Sequence, residues 1–108
     1  MPLAIFLTAD AARDLEELYD YIAQHDAPGK ADRVLDKIEK TFNSLSKSPE
    51  RGRYPKELLA LGIRDYREIF FKPYRIIYRV LNDAVYVYLI VDGRRDMQTL
   101  LQRRLLGG

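Results

Sequence analysis

Apolar and polar positions follow two periods along this chain. From Leu3 to Leu7 the period is two, with Leu3, Ile5 and Leu7 on one side, which predicts a short strand. The period then lengthens. Ala11, Leu15, Leu18 and Ile22 recur at helical spacing after Thr8, a residue suited to cap a helix start. Asp10 and Asp14 sit near the positive end of that helix, and Pro28-Gly29 interrupt it. A second helix is predicted from about Lys30 to Lys47, on the stripe Ala31, Val34, Leu35, Ile38, Phe42 and Leu45. Ser48-Pro49 stops it, because the residue before proline avoids the helical region. The stretch PERGRYPKELLALG, residues 49–62, reads as a connection with room for one helical turn over Glu57 to Leu61.

From Arg64 to Val91 the pattern is RDYREIFFKPYRIIYRVLNDAVYVYLIV, apolar runs cut at Lys72-Pro73 and Asn82-Asp83. This predicts a three-stranded antiparallel meander. Asn and Asp tolerate positive φ, so Asn82-Asp83 suits a two-residue hairpin loop. That loop predicts the pairs Val80–Val85, Tyr78–Val87, Ile76–Leu89 and Tyr74–Val91 on one face. Arg79–Tyr86, Ile77–Tyr88 and Arg75–Ile90 then fall on the other. The first face is aliphatic and the second basic and aromatic. In the strand before, Ile69 and Phe71 are the better core candidates, and pairing at Pro73 is open because proline lacks a donor. Asp96 reads as the N-cap of a last helix, Met97 to Leu106, with Met97, Leu100, Leu101 and Leu105 as its apolar stripe and Arg103 and Arg104 at its negative end.

The predicted fold is α+β, a single domain over residues 1–108. An N-terminal strand joins the sheet edge, an antiparallel helical hairpin packs on one face of an antiparallel sheet, and a short helix closes the chain. The face that the helices leave uncovered is where a functional surface is expected. Apolar content of 47% and charged content of 31% are ordinary for a soluble domain. No apolar run reaches the roughly 18 residues that span a bilayer, and Met1-Pro2-Leu3 leads into the first strand with no signal-peptide pattern. Without cysteine there is no disulfide or thiolate site, which fits a cytoplasmic location, and a lone His25 argues against a histidine metal site. No cofactor and no metal are expected.

Charge is divided unevenly. Residues 1–50 carry six Lys and Arg against ten Asp and Glu; residues 51–108 carry twelve against six. Ten of those twelve are arginines, whose planar forks grip phosphate and carboxylate at two points. The sheet half therefore calls for an anionic partner, a nucleic acid or an acidic protein segment.

Four segments in this order, LTADAARDLEELYDYIA at 7–23, SLSKSPERG at 44–52, GIRDYREIFFKPYRIIYRV at 62–80 and VYVYLIVDGRRDMQTLL at 85–101, resemble the RelE/ParE superfamily of bacterial toxin–antitoxin toxins. The resemblance covers nearly the whole chain. It implies the toxin of a type II, plasmid-stabilisation type module, held inactive in a hetero-oligomer by an antitoxin encoded beside it, whose C-terminal segment wraps the toxin. It also implies one of two targets. RelE-like members cleave mRNA in the ribosomal A site; ParE-like members poison DNA gyrase.

A metal-free ribonuclease needs a base for the ribose 2′-hydroxyl, cations for the phosphate and an acid for the leaving oxygen. Arg67, Arg75, Arg79, Arg94 and Arg95, with Arg64, offer the cations, and Glu68 offers a base. The acid is missing: RelE-like nucleases place a Tyr or His in or after the last strand, whereas residues 97–106 here hold neither. Tyr86 and Tyr88 remain candidates, although an unperturbed Tyr ionises near pH 10. The missing acid and the long hairpin favour the ParE-like reading, with the nuclease and a binding-only module as alternatives. Antitoxin contacts are expected at Arg75, Ile77, Arg79, Tyr86, Tyr88, Arg94 and Arg95. The plainer reading of these residues is a solvated sheet face with ordinary cross-strand packing of Tyr86 and Tyr88.

Overall fold

A computed structural model describes residues 2–107. Its elements run β1 (Ala4–Leu7), α1 (Ala9–His25), α2 (Lys30–Asn43), a 3₁₀ turn (Ser44–Ser46), α3 (Lys56–Leu59), β2 (Arg67–Phe71), β3 (Tyr74–Leu81), β4 (Ala84–Asp92) and α4 (Met97–Leu105). The sheet order is β1-β4-β3-β2. β2, β3 and β4 form the antiparallel meander, and β1 lies parallel to β4 at the edge.

Local chemistry explains most boundaries. Thr8 caps α1 by accepting from the Ala11 amide at 3.1 Å, and Asp96 caps α4 through the Thr99 amide. Gly29, at φ 85°, turns the chain between α1 and α2. Asn82 and Asp83 both have positive φ, 51° and 62°, as a type I′ hairpin requires.

The expected register holds only next to this turn. Val80–Val85, Arg79–Tyr86 and Tyr78–Val87 pair as expected. A β-bulge then shifts the ladder by one residue, giving Ile77–Leu89, Ile76–Ile90, Arg75–Val91 and Tyr74–Asp92. The expected pairs Ile76–Leu89, Tyr74–Val91, Ile77–Tyr88 and Arg75–Ile90 are therefore corrected. The bulge leaves Tyr88 without a partner on β3 and inverts the faces beyond it. Ile90 turns toward the hairpin, and Leu89 and Val91 turn away from it.

The faces differ from expectation in a second way. The hairpin covers one face, burying Ile38, Phe42, Leu45, Ile69, Ile76, Tyr78, Val85, Val87 and Ile90 together. The opposite face is not left open. α3 and α4 pack there, and Leu58, Ile77, Leu89, Val91, Met97, Leu100 and Leu101 form a second core. Sheet residues thus face protein on both sides, and only the turn-proximal end and the edges stay accessible. No helix among the described residues is long and apolar enough to cross a membrane.

Candidate functional site

Arg75 sits on the second face, and its surroundings decide its role. It is 8% exposed, and Glu68 beside it on β2 is 2% exposed. The guanidinium donates from Nε to Glu68 Oε1 at 2.7 Å, and from Nη1 and Nη2 to the two carboxylate oxygens of Glu57, each at 2.8 Å. Glu57 belongs to α3, so one arginine ties the 49–66 connection onto the sheet. Arg53 adds a longer contact to Glu68 Oε2 at 3.4 Å. Two glycines make room. A Cβ at Gly93 would come within 2.7 Å of Arg75 Cδ, and one at Gly52 within 2.7 Å of the Glu68 carbonyl oxygen. The Arg75 hydrogen bonds hold the Glu57 carboxyl below its ordinary value, against the opposing effect of burial.

A pH dependence follows from that depression. Glu57 releases its proton more readily in the folded chain than in the unfolded one. Its contribution is fully present above the ordinary value of 4.5 and is lost as pH falls through the lower folded value. Acid titration of the melting temperature should therefore fall below about pH 4.5, and Glu57→Gln should flatten that limb. An unchanged acid limb in the variant would assign the loss to other carboxylates.

The other predicted arginines do not join this cluster. Arg67 donates to the Gly52 carbonyl at 2.8 Å and to Tyr54 Oη at 3.2 Å, with its Cζ 4.6 Å from the Tyr54 ring centroid. It clamps the connection, as does buried Tyr78, whose hydroxyl donates to the Pro49 carbonyl at 2.7 Å and accepts from the Gly52 amide. Burial pushes the Tyr78 hydroxyl pKa up. Arg79, near the hairpin turn, has a side chain one-third exposed; it stands 3.6 Å from Asp65 and over the Tyr66 ring. Arg94 lies past the far end of β4 and folds back onto Asp92 at 2.9 Å, holding that carboxyl below its usual range. Arg95, next to it, is exposed and has no carboxylate partner among the described residues.

The expected set is thus dispersed. Glu68 and Arg75 neutralise each other inside the protein, Arg67 is tied to the connection, and Arg79 is separated from Arg94 and Arg95 by most of β4. Arg75 and Ile77, two of the residues expected to meet the antitoxin, are both buried. Arg79, Tyr86 and Tyr88 remain accessible in part. Tyr86 is stacked by Phe6 of β1 at 5.5 Å, and Phe6 is 50% exposed; Tyr88 meets Tyr66 edge to face at 5.5 Å. Neither Phe6 nor Tyr66 stood out in the sequence. Arg104 does more than complement the helix dipole: it donates two bonds to Asp14 of α1, at 3.1 and 2.9 Å. His25 closes α1, stacked on Tyr21. No three His, Asp or Glu among the described residues converge to hold a metal ion.

A four-stranded sheet carrying a helical hairpin on one face and a short C-terminal helix on the other is the RelE/ParE-like fold. Solved structures share it. The chromosomal ParDE system of P. aeruginosa contains a chain matching at a TM-score of 0.70 and 22% identity, over 83% of this chain and 95% of that one. The toxin–antitoxin complex RelBE2 of Mycobacterium tuberculosis matches at 0.58 and 23%, over 85% and 99%. A mutant of E. coli toxin RelE in the free state matches at 0.62 and 16%, over 97% and 100%. Among curated proteins, Toxin ParE3 of Caulobacter vibrioides is 26% identical over 100 residues, covering 93% of this chain and 96% of its own length. The family model for the ParE toxin of type II toxin–antitoxin systems, parDE, matches residues 5–97. The chain belongs to the ParE toxin family of type II toxin–antitoxin systems.

Proposed function

We propose that this chain arrests growth by binding and poisoning DNA gyrase, and that a cognate antitoxin encoded beside it neutralises it. The observation that carries this reading is the buried Glu57–Arg75–Glu68 cluster. A general base and a phosphate-binding cation must both reach substrate. Here the best base and the most central cation are spent on each other, away from solvent. What remains accessible on the sheet, Arg79 with Tyr86 and Phe6, can hold a partner. Family membership supports the toxin role and the antitoxin partner. The gyrase target rests on the ParE-like resemblance together with the dismantled nuclease set.

The test is a gyrase supercoiling reaction supplemented with purified protein. Supercoiling should be blocked, or cleaved DNA trapped, near stoichiometric amounts. Full supercoiling at excess toxin, with codon-positioned mRNA cuts after induction, would replace this reading with the ribosome-dependent nuclease. Harmless overexpression without antitoxin would leave a binding-only module.

A further inference from the structure

Cations gather along the outer edge of β2. Residues 47–56, KSPERGRYPK, hold Lys47, Arg51, Arg53 and Lys56 against one acid, Glu50, and all four cations are exposed. Backbone bonds between Arg53 and Glu68, at 3.1 and 2.7 Å, lay this segment against β2. Arg67 of β2 joins the group. Its partners there, the Gly52 carbonyl and the Tyr54 hydroxyl, are neutral and leave its charge unmatched. Among the described residues no carboxylate lies in ion-pair range of Lys47, Arg51, Lys56 or Arg67, and Arg53 reaches only Glu68. Against these five cations stand Glu50 and the one unmatched charge of the Glu57–Arg75–Glu68 cluster, so the edge stays positive by three.

The arginines are held before any partner arrives. Arg53 Cζ lies 4.7 Å from the Phe70 ring centroid, as Arg67 lies against Tyr54, and Arg51 donates to the Ser44 hydroxyl at 2.6 Å. Such rests restrict the side chains and lower the ordering cost of binding. Their three anchors differ, so the guanidiniums are spread along the edge instead of being gathered on one anion. That suits a polyanion of repeating charge. Base stacking on a single strand uses open aromatic platforms, whereas Phe70 and Tyr54 already carry guanidiniums. Residues 47–56 hold no Leu, Ile, Val or Met to anchor an acidic protein segment. The chemistry that remains is the phosphate backbone of a duplex, with one negative charge per about 1.7 Å of axis.

We propose that this edge binds the phosphates of duplex DNA, so that the toxin grips the DNA in the gyrase complex as well as the enzyme. The placement of that contact rests on the gyrase reading above; the contact itself is independent of base sequence and of gyrase.

The test is fluorescence anisotropy of a labelled DNA duplex titrated with the full chain, without gyrase, over a series of salt concentrations. Log affinity should fall linearly with log salt. Arg51→Gln/Arg53→Gln/Lys56→Gln should weaken binding at least tenfold and flatten the slope by about 3, since each phosphate contact contributes about 0.9. Arg13→Gln/Lys30→Gln/Lys37→Gln removes the same charge from the exposed side of the helical hairpin and should change the slope by less than about 1. Thermal melts verify folding. If the edge variant melts early, Lys47→Gln/Lys56→Gln, which leaves Arg53 on Glu68, should flatten the slope by about 2. In the supercoiling reaction the edge variant should need at least tenfold more protein to inhibit. No duplex binding by the unaltered chain, equal losses in the edge and hairpin variants, or tighter binding to a single strand of the same length would each overturn the duplex site. So would an edge variant that loses DNA binding yet inhibits gyrase like the unaltered chain. The gyrase reading stands or falls separately, on supercoiling with the unaltered chain.

Discussion

Arg75→Ala is expected to lower the stability of this domain by about 3–5 kcal/mol, the usual consequence of removing one partner from a buried ion pair. The reason lies in what the substitution leaves behind. Glu68 is fully enclosed, and Glu57 has only a small exposed fraction. Without the guanidinium Glu57 loses its charge partner and donors, and Glu68 keeps only the longer contact from Arg53. They would take up protons or pull the connection open to reach water. Either outcome loosens α3, which also holds Leu58 in the second core. Arg75→Lys should not restore full stability, because an ammonium cannot reproduce the fork that grips two carboxylates. Urea denaturation measures the loss, with a typical slope of about 1–3 kcal/mol per molar. A loss under about 1 kcal/mol would class the cluster with ordinary surface ion pairs.

The second large effect is expected in the other core. Phe42→Ala should cost about 3–5 kcal/mol, the transfer energy of the ring plus the cavity it leaves. Phe42 is buried between the hairpin and the sheet, in one cluster with Ile38, Ile69 and Ile76. Against a total of about 5–15 kcal/mol, this is a substantial share. Ile38→Asp should be worse, since it places an unpaired carboxylate at a fully buried position. The midpoint of thermal unfolding reports both. A Phe42→Ala variant melting with the unaltered chain would mean that the hairpin does not depend on this contact.

These two sites also show how far the sequence could be read. The Phe42 stripe was legible because a helix buries one face, and its 3.6-residue period records that face. The caps at Thr8 and Asp96 and the Asn82-Asp83 turn were legible for similar local reasons. The bulge at Tyr88 was not. Residues 84–91, AVYVYLIV, are apolar or aromatic throughout, so a one-residue shift leaves no mismatch in the pattern. No glycine or proline marks it.

The burial of Arg75 was not legible, for a related reason. Its partners come from Glu57, 18 residues upstream in a connection, and from Glu68 on the neighbouring strand. Alternation along β3 correctly put Arg75 on the face opposite the hairpin. It could not say that α3 and α4 would cover that face. Gly52 and Gly93 were visible as punctuation, but their reason, close approach to Glu68 and Arg75, exists only in the folded chain.

On the proposed function, the sheet's buried charges are architecture and take no part in chemistry. Growth after induction of Glu57→Leu/Glu68→Leu/Arg75→Met, without antitoxin, tests it most directly. Replacing a whole buried ion network by apolar residues of similar volume is often neutral or stabilising, so the variant should fold, as a thermal melt verifies. The expected result is growth arrest as strong as with the unaltered toxin. A folded variant that leaves growth untouched would contradict the claim and return these three side chains to the toxin's working site.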